Sequence, residues 1–138
     1  MSIPESEPHV AAVIAKLKAE VPVLIKVADG VGPAADPPYL AVYPDAGDVE
    51  DPFLSGNRSK LTIGFIINAV GAGPQQARWA LDKARLVMLS STPVAVAGRK
   101  THRMRQTLSG VPIVRDESTQ PPLYIATAGF RLMSQTLS

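Results

Sequence analysis

The stretch 59–70, SKLTIGFIINAV, constrains this chain more than any other. Leu61, Ile63, Phe65, Ile67 and Ala69 alternate there with Thr62, Gly64 and Asn68. Side chains on a strand point to opposite faces with a period of two, so the pattern predicts one covered face and one wetter face. Strands buried in a parallel sheet are apolar on both sides, which makes the expected sheet antiparallel. A helix is expected directly afterwards, over 74–89, with Pro74 at a favoured first-turn position. Ala77, Ala80, Leu81, Ala84, Val87 and Met88 fall on a single stripe of i, i+3, i+4, i+7 type. A one-sided strand followed by a one-sided helix points to two packed layers.

The remaining elements follow from similar signals. Val10, Val13, Ile14 and Leu17 predict an amphipathic helix over 8–20, with Ser6 as its cap and Pro22 as its end. Short strands are expected over 23–28 and 39–43, separated by an irregular Gly/Pro/Ala stretch. A polar loop or arm is expected at about 44–58. A strand or turn over 94–97, a strand over 111–115 and a final strand over 123–133 complete the order. The expectation is a single α+β domain spanning 1–138, mostly antiparallel sheet with two α-helices packed on one face.

Composition bounds the chemistry. The 138 residues include no cysteine, which removes disulfides, thiolate catalysis and cysteine metal sites. His9 and His102 are the only histidines, and neither has a visible catalytic partner in the sequence. No apolar run approaches the roughly 18 residues of a membrane span, and the first residues lack the order of a secretory leader. A soluble domain made inside the cell is expected, with no membrane partner. GxSxG, a P-loop, HExxH and an EF-hand register are all missing.

Charge is split along the chain. Residues 1–57 hold nine Asp/Glu against three Lys, and residues 58–138 hold eleven Lys/Arg against three acids. Two readings stand at this point: complementary contacts between copies of the chain, or a fold that mixes the halves and cancels the field. Asp45, Asp48, Glu50 and Asp51 form the acidic part of the 44–58 arm, read first as a solvated loop and second as a hard-cation site. Arg99, Lys100, Arg103 and Arg105 are the densest basic run. Read as one strand, it puts Arg99, Thr101, Arg103 and Arg105 on one face. No aromatic residue interleaves with the run, which argues against stacking on single-stranded nucleic acid. On the 74–89 helix, Trp79 and Leu86 point away from the apolar stripe and lie a heptad apart, a pattern that suits a contact surface. Gly71-Ala72-Gly73 opens the same helix and is a weak candidate for anion binding at a helix N-terminus.

Taken together, the run PPYLAVYPDAGDVEDPFLSGNRSKLTIGFIINAVGAGPQQARWALDKARLVM and the later QPPLYIATAGFRL resemble tail terminator proteins of long, flexible-tailed bacteriophages, also described as tail completion or minor tail proteins. The resemblance covers most of 37–133 and rests on the order of pieces, not on a catalytic signature. It implies a non-enzymatic structural protein without a cofactor, assembled as a ring, usually a hexamer. Such a ring caps the last ring of the tail tube, ends its growth, and provides the joint to the head connector at the tail–neck junction of the virion. Its partners would be copies of itself, the major tail tube protein and the head–tail connector protein, with genomic DNA passing through the lumen without sequence-specific binding. Trp79, Leu86, the 45–51 arm and the 99–105 run are the expected contact residues. The alternatives are another neck or head-completion adaptor, or a small ligand- or nucleotide-binding domain using Gly71 and Gly73.

Overall fold

The computed structural model describes residues 5–30, 36–50 and 60–137. Its elements run α1 (Ser6–Glu20), β1 (Lys26–Asp29), β2 (Tyr39–Pro44), β3 (Asp48–Glu50), β4 (Lys60–Gly71), α2 (Pro74–Met88), β5 (Arg99–Thr101), β6 (Arg105–Leu108), β7 (Val114–Asp116) and β8 (Leu123–Thr136). The fold is α+β. One mixed, mostly antiparallel sheet has the order β1-β2-β4-β8-β5; β3 is added to β4, and β6 and β7 are added to β8.

β4 and β8 form the spine. They pair without interruption from Lys60↔Gln135 to Gly71↔Tyr124. The alternation read from 59–70 places Leu61, Ile63, Phe65, Ile67 and Ala69 on the covered face, opposite Ser134, Leu132, Phe130, Ala128 and Ala126 of β8, and all ten are buried. Phe65 and Phe130 face each other at the centre of this layer. All six residues of the expected α2 stripe are buried against it. α1 joins the same core through Val10, Val13 and Leu17. Burying so many aliphatic side chains on one face supplies the dominant favourable term of folding.

Gly71 makes the strand-to-helix junction possible. A Cβ built there would lie 2.5 Å from the Ala77 backbone nitrogen and 2.9 Å from the Gln76 carbonyl carbon. Any side chain would therefore lift the first turn of α2 off the sheet.

Several local expectations need correction. Ser6 is the first residue of α1 and not its cap; Glu5 occupies that position without a side-chain cap bond. The strand expected over 23–28 begins only at Lys26, because Val23 and Leu24 lie exposed in the turn closed by Ile25 N–H donating to Pro22 O. That strand also runs parallel to β2, whereas the other pairings are antiparallel. The 99–105 run is two strands with a break. Arg99 pairs with Thr136 and Thr101 with Ser134, on the covered face, whereas Arg105 pairs with Arg131, on the opposite face. Met104 is buried in the core, and this re-phases the run: the four residues do not share a face.

Candidate interaction surface

β8 presents different chemistry on its two faces, and everything polar of interest is built on it. On the covered face, Ser134 is fully buried. His9 of α1 donates from Nδ1 to the Glu5 carbonyl (2.7 Å). Its Nε2 is then the acceptor, and the Ser134 hydroxyl donates to it at 2.7 Å. Arg99 Nε and Nη2 donate to Ser134 Oγ at 3.3 and 3.2 Å. Burial lowers the His9 pKa from the ordinary 6.5; the Glu5 hydrogen bond opposes this, and the Arg99 charge adds to it. Burial also lowers the Arg99 pKa. The chain is a dry, satisfied network that clamps α1 and β5 to β8. A Ser–His pair sealed in this way has no route to substrate. The sequence did carry a signal for it, since His9, Val13 and Leu17 are spaced i, i+4, i+8 on the buried stripe of α1.

Among the described residues, the opposite face of the sheet carries no helix. Register places Arg131, Met133 and Gln135 of β8 there, beside Gly64, Thr62 and Lys60 of β4. On the other side of β8, the break between β5 and β6 leaves an opening. His102 N–H still donates to the Met133 carbonyl (2.9 Å), while Arg103 turns away to donate twice to the Leu89 carbonyl at the end of α2 (3.2 and 3.1 Å). The result is a cavity of about 720 Å³ lined by Lys60, Leu89, His102, Arg103, Met104, Arg105, Arg131, Met133 and Gln135. Among the described residues it is lined by four cationic side chains and no carboxylate. The ion pairs among the described residues are Lys16–Glu20, Arg85–Asp82 and Arg115–Glu117, and none of these serves the groove.

The expected site residues scatter. Arg103 and Arg105 line the groove, Lys100 is exposed on the same open face, and Arg99 belongs to the buried network. Lys60 and Arg131 complete the groove and were not singled out from sequence. No local pattern marks them: the β6–β8 register sets Arg131 opposite Arg105, and β4–β8 pairing brings the start of β4, with Lys60, to the same end of the sheet. Among the acids, Asp45 is committed to its own backbone. Its carboxylate accepts from Gly47 N–H (2.8 Å) and Gly64 N–H (3.0 Å). A Cβ at Gly64 would lie 2.8 Å from Asp45 Oδ2, so glycine leaves the room for this turn. Asp48 is exposed at the start of β3, Glu50 stands opposite Lys60 in register, and Asp51 lies outside the described residues.

Trp79 and Leu86 also differ. Trp79 is half-buried and packs against the edge of the core, whereas Leu86 is 71% exposed and borders a shallow depression with Asp82, Arg85 and Leu89. At the helix N-terminus, Ala72 N–H donates to Gln76 Oε1 (2.7 Å), so this donor is already taken by the chain itself. Among the described residues no cluster of three or more His/Asp/Glu is placed to hold a metal, and no helix is long and apolar enough to cross a membrane. Farther along the open face, Tyr43, Ile66, Leu108 and Val114 are exposed apolar positions beside Tyr39. Burial raises the Tyr39 phenol pKa, helped by Tyr43 and Asp116.

The site is thus a surface built on the open face of β8. No family model matches the chain, and no curated protein matches it in sequence. Among solved structures, a chain from the virion of a native gene transfer agent particle is similar in fold, with a TM-score of 0.58 at 16% identity. The similarity covers 91% of this chain and 92% of that one. It is therefore a likeness of whole domains.

Proposed function

We propose that this chain is a virion structural protein of a phage-like particle, and that it caps the tail tube as a ring. The observation that carries the reading is the end-to-end likeness of fold to a chain of a gene transfer agent virion. The resemblance of residues 37–133 to tail terminators narrows it from virion component to tube cap. A sheet with one helix-covered face and one bare face, bearing exposed apolar residues and a cationic groove, suits a protein whose surface is completed by neighbours. The mechanism is steric. Subunits close head to tail into a ring, most simply a hexamer; one side seats on the last ring of tube protein and removes its growing end, while the other side receives the head connector. DNA traverses the hole without base readout. Leu86 and Trp79, the acidic arm and the basic run are the subunit and partner contacts in this reading, and no bond is made or broken.

The test is native mass spectrometry of the purified protein, alone and with tail tube protein, combined with tube length by electron microscopy. A discrete ring, free or formed only with the tube, and tubes that stop growing are expected. A strict monomer indifferent to the tube overturns the reading. A ring that leaves tube length unchanged but binds the portal side replaces it with a neck adaptor.

A further inference from the structure

Arg105 of β6 stands directly opposite Arg131 of β8. Like charges facing each other across a ladder are destabilising, and such pairs are tolerated where something else neutralises them. Among the described residues neither guanidinium has a carboxylate partner. Lys60 and Arg103 add two more cations to the same groove, and Leu89, Met104 and Met133 give it an apolar floor. A guanidinium offers a planar fork of donors that matches a carboxylate, so two forks side by side prefer a ligand bearing two acids.

The chain itself carries such a segment. Asp48-Val49-Glu50 is an acid–apolar–acid strand whose Val49 is 46% exposed. Acids two apart on a strand are spaced ~7 Å, close enough to serve both members of a cross-strand arginine pair. Its place in the fold matters more. β3 pairs with Lys60, Leu61 and Thr62 of β4, at the same end of the sheet as the groove. However, it lies on the side of β4 away from β8, and β6 lies on the side of β8 away from β4. Within one chain Glu50 stands opposite Lys60, but β4 lies between β3 and Arg131, and both β4 and β8 lie between β3 and Arg105. A second copy placed edge to edge suffers no such separation. Arm and groove are different patches, so their contact is heterologous and propagates around a ring.

We infer that the Arg105–Arg131 groove, with Arg103, is the receptor for Asp48 and Glu50 on the β3 strand of a neighbouring copy. The inference rests on the ring reading above and sharpens it: Asp45 and Arg99, both committed within the chain, are not part of this contact.

The experiment is a charge exchange read by native mass spectrometry at low salt. R105E/R131E and D48K/E50K are each expected to raise the apparent dissociation constant of the ring by about tenfold or more. Mixed in equal amounts, they should restore rings of alternating subunits, since each reversed groove then meets a reversed arm. Normal rings from R105E/R131E alone overturn the inference. So does loss of rings that the mixture does not restore, because the groove then has another occupant. A short DNA duplex that protects the groove equally in wild type and D48K/E50K also overturns it, in favour of a nucleic-acid surface. If R105E/R131E does not fold, R131Q mixed with wild type carries the same test through ring dissociation by salt. Absence of rings from the wild type under every condition, tube protein included, removes the ring reading itself and is distinct from each of these results.

Discussion

Ser134 and Arg131 lie three residues apart on β8, and the two faces of that strand solve opposite problems. On the covered side, the buried His9 and Ser134 side chains have partners for their polar atoms, and Arg99 closes the cluster from its partly exposed edge. On the open side, Arg131 faces Arg105 with no carboxylate from the described residues in reach. A buried polar group without a partner costs roughly 1–3 kcal/mol, so the first cluster had to be closed by the fold itself. Exposed cations carry no such demand, because water serves them until something better arrives. The contrast separates polar residues that hold the domain together from polar residues held ready for something outside it.

Substitutions on either side should make that separation measurable. The largest effect is expected from Phe65→Ala, at about 4 kcal/mol of lost stability, against about 1 kcal/mol for Ile66→Ala on the open face; urea denaturation of both variants checks this. Comparable losses would mean that the open face is packed in the free protein. Ser134→Ala should cost about 2 kcal/mol, since it leaves the buried His9 Nε2 without its donor. Thermal melting of this variant tests whether the network is structural.

A smaller effect concerns acidification. His9 is held neutral in the folded state with its pKa below the ordinary 6.5, so the unfolded chain takes up the proton first. Stability is full above that ordinary value and falls as the pH drops from it toward the lowered native one. Melts between about pH 7.5 and about pH 5 should show this slope, and His9→Gln should flatten it. The smallest effect has the opposite sign. Arg131→Gln relieves the like-charge pair and should stabilise the monomer by about 0.3 kcal/mol. The same variant should weaken ring assembly, and a gain in one quantity with a loss in the other is the outcome that sharpens the contrast most.

How much of this was legible in the sequence depended on whether a residue's surroundings were local. The covered face of β4 and the stripe of α2 were readable, because a period of two or 3.6 is fixed by the backbone and survives any tertiary context. The basic run was misread as one strand for a physical reason. Met104 is the only large apolar residue in RKTHRMRQ, and its burial in the core outweighs the regularity of a single ladder. Composition presents the acidic arm as a solvated loop, whereas Asp45-Ala46-Gly47 is an Asx turn in which the first acid is spent on the backbone. Lys60 and Arg131 lie 71 positions apart and come to line one groove only because β4 pairs with β8, which no window of sequence reveals. Trp79 was placed on the outer face by helical angle alone, and its ring nonetheless reaches back to the edge of the core.

The outer edge of β8 is shared by three short strands, Arg99–Thr101, Arg105–Leu108 and Val114–Asp116, where one long strand would have fitted. A continuous, flat, apolar edge is an open template on which further chains can add without limit. Breaking it twice and placing arginines at the start of two of its pieces leaves no stretch longer than four residues for an incoming strand to copy. Strand-by-strand addition on this side is thereby disfavoured. In the proposed ring, lateral contact on this side would then rest on side chains of matched charge and not on a shared ladder.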